Sequence, residues 1–517
     1  MAESKAIRGR SRVALAASGA ALFFASPSAQ ALDPEVTSDT AAQFYDVRSP
    51  TGETIVTRRR LTSTLGVGAY DLLDHDKDTS NRSQAELLFR VRMRYDADYG
   101  SAAAEVDPAN YNRFVPGFSR GPVDLMYGYV EGRRMLGGYV GFKLGRQYVT
   151  DALGWWSFDG GEVKLTTPFY VAVELYGGLE QRGGMPLSTP RFEQQGMWRG
   201  DRSGYDPSLY SSFQPNQVAP ALGVALESAG FTWGHGRLTY RRVYNTGRSN
   251  TSEFANGLTT PTSYDGTRIS SDRIGYSVDA SLAEYGGARA GIVYDFYNAK
   301  VGNAYASVDA YASKKLTLSL DYDYYAPTFD GDSIWNFFAG EGMNDVGARG
   351  VYDVSDHLSV SGSAHLRVFS VQTAPFTTGA GAASSPNIAA GVASYFPSNG
   401  SPFDEGGSLQ ARYKKGPGVI GLRSNGNFGK EGDRVGADIF GDYLFEQHYI
   451  AQARASVWQW NDKLRTDRDA TNLGLVVGAG YKFNQRSRAI VEFQQDMNRL
   501  VGLRYRAMLT LSFAVTK

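Results

Sequence analysis

The chain has no cysteine in its 517 residues. That excludes disulfide staples, thiol chemistry and a lipid anchor on an N-terminal cysteine. It has no run of apolar residues long enough for a membrane-spanning helix. It has no excess of either charge, with 53 basic and 53 acidic residues, which argues against a nucleic-acid partner. Histidine is scarce. His75, His235, His357, His365 and His448 are scattered, without HExxH or any metal-ligand spacing. There is no G-x-S-x-G elbow, no Rossmann or P-loop context and little helical periodicity. Neither an enzyme nor a bound cofactor or metal is expected. Asp74, Asp76 and Asp78 alternate in a polar segment, but the glycine of a calcium loop is missing. They read as a solvated acidic loop.

Sixty glycines, 32 tyrosines and 27 phenylalanines are present, a composition that suits strands with aromatic ends better than helices. Phe89-Arg90-Val91-Arg92-Met93-Arg94-Tyr95-Asp96-Ala97-Asp98 puts apolar residues at odd positions and charges at even ones. Only a β-strand separates these sets onto opposite faces. The alternation recurs in Leu316 to Tyr325, in Asn472 to Phe483 and in the last strand. From residue 122 onward, strands of a dozen or so residues are joined by connections that alternate between tight and long. Tight turns are read at Gly132 to Gly137, Thr166 to Pro168, Ser228 to Gly230, Tyr285 to Gly287, Ser313 to Lys315, Asp353 to Asp356, Lys415 to Pro417, Glu446 to Gln447 and Asn484 to Ser487. Longer polar connections fall near 180–217, 247–270, 327–344, 371–406 and 461–469. So many two-faced strands would overfill a soluble sandwich. A closed sheet in lipid uses every apolar face and leaves no edge.

The N-terminus has the layout of a secretory signal peptide. Lys5, Arg8, Arg10 and Arg12 precede an apolar Val13–Phe24 stretch and an Ala29-Gln30-Ala31 cleavage site. Its removal would take four basic residues and one acid, leaving 49 against 52. The expected organisation is a signal peptide over 1–31, a periplasmic N-terminal segment over 32–56 that could plug the pore, and a barrel over 57–517. The expected fold is an all-β transmembrane antiparallel barrel of the outer-membrane type. About 18 strands are expected, within 16 to 20, with short periplasmic turns and long extracellular loops.

With the apolar set facing lipid, the opposite set lines the pore. These are Arg90, Arg92, Arg94, Asp96, Lys143, Glu174, Arg241, Asp295, Asp321, Asp323, Arg423, Asp438, Asp442, Arg454, Glu492, Arg504 and Arg506. An Arg or Lys facing lipid at mid-bilayer would cost about 2–4 kcal/mol. Arg146 falls on the apolar parity of its strand. The inward charges could hold a passing anion or pair across strands. Trp155, Trp156, Trp458 and Trp460 lie at strand ends and read as an interfacial girdle rather than sugar platforms.

Gly145-Arg146-Gln147, followed by Trp155-Trp156-Ser157-Phe158-Asp159-Gly160, resembles the GRQ…W…FDG segment of alginate-export-type outer-membrane porins. The Arg90–Arg94 strand sits where that family has a TLRTRL-like strand. The resemblance implies an 18-stranded barrel that passes anionic polysaccharide outward. It implies a periplasmic polysaccharide-export protein as partner, alongside outer-membrane lipid and the barrel-assembly machinery. The chain departs from the family in lacking an excess of inward arginine. It also ends Ala514-Val515-Thr516-Lys517, which leaves the assembly signal to Phe513. The function expected is polysaccharide export. A general or substrate-selective diffusion porin for small solutes is the alternative, and an outer-membrane enzyme or adhesion scaffold is the reading from another class.

Overall fold

The computed structural model describes residues 33–48, 54–73, 84–98, 101–102, 123–181, 219–247, 266–329, 342–369, 403–429, 432–463, 466–500 and 502–516. Residues 1–31 and the aspartates at 74, 76 and 78 lie outside them.

Among the described residues, twenty-two staves form one ring. They are β1 (Asp33–Arg48), β2 (Thr54–Tyr70), β3 (Glu86–Asp98), β4 (Val123–Arg134), β5 (Val140–Asp151), β6 (Gly154–Thr166), β7 (Val171–Glu180) and β8 (Pro220–Ser228). Next come β9 (Gly234–Asn245), β10 (Arg268–Ser281), β11 (Gly286–Asp295), β12 (Lys300–Ser313), β13 (Leu316–Tyr325), β14 (Met343–Asp353) and β15 (Leu358–Phe369). The ring is completed by β16 (Phe403–Lys415), β17 (Gly418–Phe428), β18 (Gly432–Phe445), β19 (Tyr449–Asp462), β20 (Ala470–Lys482), β21 (Arg488–Asn498) and β22 (Gly502–Thr516). A two-residue strand, Ser101–Ala102, continues the pairing with β2 beyond β3. Each stave pairs antiparallel with its neighbours in sequence, and β1 also pairs antiparallel with β22, from Glu35↔Thr516 to Tyr45↔Arg506. Closure gives every stave a neighbour on both sides.

Two sequence expectations are corrected. The staves number 22, not 18. Residues 33–48, expected in a periplasmic segment, form the first stave instead of a tail or plug. β1 accounts for one of the four staves that the expectation of 18 lacked. With an even number, both ends of the ring of strands emerge at one end of the barrel.

At that end every connection but 71–85 is short, and each tight turn expected from the sequence falls between two staves there. The opposite end has the long connections 99–122, 181–219, 246–267, 326–342 and 370–402, together with six shorter ones. Strand spacing and a tilt near 40° give a backbone cylinder roughly 40 Å across. Wall side chains cannot fill such a space.

Outside, an apolar surface runs round the ring: Leu144, Leu175, Val308, Leu320, Leu422, Val491 and Phe513 are each about half exposed. No helix among the described residues is long and apolar enough to cross a membrane.

Candidate functional site: the inner face and an inward hairpin

Several contacts reach over an intervening stave, and these identify the concave side. Arg92 on β3 donates to Asp39 Oδ2 on β1 at 2.7 Å. Arg237 on β9 donates to both carboxylate oxygens of Glu174 on β7, at 2.6 and 3.1 Å. Lys164 on β6 reaches Glu227 on β8 at 2.9 Å, and Gln452 on β19 reaches Glu492 on β21. Such reach is shortest across the inside of a curved sheet.

Register then places the sequence-derived set. Directly opposite residues of an antiparallel pair share a face. Arg90, Arg92, Arg94 and Asp96 lie on the inner parity of β3, opposite Gly68, Gly66, Thr64 and Thr62. Asp96 takes a two-pronged Arg60 pair at 2.8 and 2.5 Å and a bond from Thr62. The Arg90 guanidinium sits 5.9 Å from the Tyr127 ring centre. The arginine ladder is thus already partnered in part: Arg92 is neutralised by Asp39, and Arg94 is buried. Lys143 faces Glu162 at 3.6 Å. Asp295 accepts from Arg273 at 2.9 Å. Asp321 has Arg289 at 4.0 Å, and Asp323 stands opposite Asp345, which Arg367 holds at 2.8 Å. Asp442 lies opposite Gln452. Arg504 lies opposite Asp496, and Arg506 opposite Gln494 with the Tyr45 ring 5.9 Å away.

Asp438 on β18 joins Arg423 on β17 and Arg454 on β19. Arg423 donates at 2.8 and 2.9 Å, and Arg454 Nε at 2.7 Å. The Asp438 side chain is fully buried while both arginines stay partly exposed. Asp438→Asn would leave two cations on one neutral amide. It is expected to lower barrel stability by about 1–3 kcal/mol, the arginines' exposure moderating the cost. The urea concentration at the unfolding midpoint measures this, and an unchanged midpoint would show the triad to be energetically idle.

Arg146 is the exception in direction. It shares the outer parity of Leu144 and Tyr148, and its register partner is Asp159. The two form a two-pronged pair at 2.6 and 2.8 Å, and Arg146 Nη1 also donates to the Leu125 carbonyl at 3.0 Å. The two halves of the recognised motif are therefore cross-strand partners: Gly145↔Gly160, Arg146↔Asp159 and Gln147↔Phe158. Gln147 and Phe158 are wholly buried, and Gln147 Nε2 donates to the carbonyls of Lys143 and Gly160.

This paired motif sits where the β5–β6 hairpin leaves the wall. Pairing of β4 with β5 stops at Gly128↔Arg146, and pairing of β6 with β7 stops at Phe158↔Glu180. Beyond those points β5 and β6 pair only with each other, up to Asp151↔Gly154. Arg146 takes up the Leu125 carbonyl on the part of β4 that β5 has abandoned. Gly145 has φ +127°, a conformation suited to glycine. At Gly160 a Cβ would collide with the Gly177 carbonyl oxygen and lie 2.8 Å from Gly178 Cα. The bend depends on backbones approaching more closely than side chains permit.

The hairpin tip lies across the inside. Arg241 on β9 donates to the Leu153 carbonyl at 3.4 Å, and its guanidinium lies 4.9 Å from the Trp156 ring centre. Gly275 on β10 faces Leu153 so closely that a Cβ would stand 2.8 Å from Leu153 Cδ2. Trp156 stacks on Phe158 at 4.3 Å and donates to Glu180 Oε1 at 2.8 Å. Val149, Trp156, Phe158, Tyr176, Ala219, Ala221 and Val243 bury one another between hairpin and wall. Sequence reasoning did not find this element, nor the Arg237, Glu227 and Lys164 network beside it. The glycine doublets Gly160-Gly161 and Gly177-Gly178, set inside strands, were the available signal.

The tryptophan girdle is also corrected. Trp155 is exposed on the outer parity. Trp156 is buried under the hairpin. Trp458 and Trp460 lie opposite Gly436 and Arg434, on the same inner parity as Arg454.

No family model and no curated protein matches the chain. Among solved structures, OccAB4 of Acinetobacter baumannii is 7% identical with a TM-score of 0.43, covering 95% of this chain and 100% of its own. OccAB2 of the same organism is 8% identical with a TM-score of 0.41, covering 94% and 98%. The outer membrane protein OpdK of Pseudomonas aeruginosa is 9% identical with a TM-score of 0.39, covering 94% and 99%. The closed barrel rests on the chain's own ring of hydrogen-bonded strands. Membership of the alginate-export family is not supported: no family model matches, and the stave count exceeds the 18 that the resemblance implies.

Proposed function

We propose that this chain spans an outer membrane as a β-barrel and forms a water-filled pore selective for small solutes. One observation carries the reading. An apolar belt encloses an inner face lined with paired charges, and the β5–β6 hairpin folds into that interior as far as β10. Lipid on the outside accounts for the half-exposed leucines and valines, and water inside accounts for the ionic wall. A hairpin lying across the interior narrows the path, which suits small solutes better than a threading polysaccharide. The long connections would then face outward and the tight turns the periplasm.

The test is to refold the barrel into planar bilayers and into liposomes. Discrete conductance steps are expected. Solute entry measured by liposome swelling should fall steeply with solute size. Absence of steps would refute the pore. Entry of long oligosaccharides as fast as monosaccharides would favour export instead.

A further inference from the structure

We propose that the barrel, at the end with the long connections, has a binding subsite for a sugar bearing an anionic group. The proposal deepens the pore reading, since it places the subsite on the inner face of that pore.

A cleft of about 360 Å³ lies where β18 to β22 end, lined among others by Arg434, Trp458, Trp460, Asn472, Asn498 and Arg504. That volume lies at the lower end of small-ligand sites, enough for one ring and its substituents. Trp458 and Trp460, two residues apart on β19, present their indoles to the same side. Gly436, opposite Trp458, lacks the Cβ that would strike the indole. Flat aromatic faces next to polar groups suit the C–H face of a pyranose.

The charges around these rings differ from those of the ion-paired arginines elsewhere on the wall. Arg92, Arg237, Arg273, Arg367, Arg423 and Arg454 each hold a carboxylate. Arg434, Arg504 and Arg468, the last from a short 3-10 turn at 466–468, form no ion pair among the described residues. The Arg434 guanidinium lies 4.3 Å from the Trp458 ring centre. Neighbouring acids are occupied otherwise: Asp496, opposite Arg504, takes Gln494 Nε2 at 2.6 Å, and Asp469 Oδ1 takes the Asp462 amide at 2.7 Å. Asp467 stays exposed in the turn. Three like charges round one cleft repel each other, and a bound anion relieves that repulsion. Asn498 Nδ2 donates to Asn472 Oδ1 at 3.2 Å. Asn472 accepts that bond through its amide oxygen, so its own N–H groups have donor capacity for a hydroxyl. Aromatic face, guanidinium and amide together select a hydroxylated ring with a negative charge.

The experiment is calorimetric titration of the full refolded barrel in detergent micelles. The probes are glucuronate, glucose 6-phosphate, glucose, benzoate and acetate, with single-channel recordings from the same preparation. Glucuronate, glucose 6-phosphate or both should bind at least about tenfold more tightly than glucose, benzoate or acetate. Which of the two binds identifies the anionic group as carboxylate or phosphate. Trp460→Ala should abolish the preference over acetate, Trp460→Phe should keep it, and Arg504→Gln should abolish the preference over glucose. Folding of each variant is checked by its heat-dependent shift in gel migration. Acetate or benzoate binding as tightly as the charged sugars would overturn the proposal, as would variants that bind like the parent. A barrel that binds but does not conduct would refute the pore and leave the subsite standing. A conducting barrel without the preference would refute the subsite alone.

Discussion

Replacing residues 149–156 by two glycines is expected to raise single-channel conductance at least about twofold, since the narrowest section limits flow. The excised segment contains the tip that touches Gly275 and accepts from Arg241. It also contains Trp156, the largest side chain of the buried cluster. The ladders that close the ring are left intact, because β5 pairs with β4 only up to Arg146 and β6 pairs with β7 only from Phe158 onward. Removing Trp156 would cost about 3–5 kcal/mol of local packing, so the shortened barrel should refold with a lower unfolding midpoint. Size selection in liposome swelling should relax with it. Conductance unchanged by the deletion would mean that the hairpin does not set the narrowest section.

Gly160→Val is expected to prevent assembly of the barrel or to destabilise it by about 4 kcal/mol or more. The introduced Cβ would meet backbone on β7, at Gly177 and Gly178, and not the end of a flexible side chain that could swing away. Two glycines facing each other across β6 and β7 show that both backbones depend on the close approach: a Cβ on Gly178 would collide with the Asp159 carbonyl oxygen in return. Gly350→Ala is the matched control. There an added Cβ would meet only the end of Leu318 at 3.5 Å, an ordinary contact, and no loss of folding is expected. Heat-dependent gel migration after refolding reads both variants. A normally folded Gly160→Val barrel would show that β6 and β7 can part without penalty.

The Arg146–Asp159 pair shows how a motif can be read correctly as residues and wrongly as a family sign. GRQ and FDG matter together here because they are register partners at a bend, with glycine against glycine, guanidinium against carboxylate and a buried amide beside a buried ring. Sequence spacing does not reveal that pairing. The tryptophans teach a related lesson. Trp458 and Trp460 share the parity of Arg454, so the same alternation that sent Arg454 inward applied to them. Proximity to a strand end pointed outward, and the alternation was the better guide.

The sequence by itself determined the two-faced strands, because a period of two is a local property that each strand displays alone. It therefore indicated the apolar exterior, the parity of the charged residues and the positions of the tight turns. It did not determine the stave count. In β1 small and polar residues such as Thr37, Ser38, Thr40, Ala41 and Ala42 blur the alternation, and hydrogen bonding to β22, more than 450 positions away, makes the segment the closing stave of the ring. It did not determine which arginines are neutralised, since Asp39 meets Arg92 only across an intervening strand. Nor did it determine the inward hairpin, which rests on contacts among β6, β9 and β10. Those features depend on the curvature and closure of the whole ring, and no single strand contains that information.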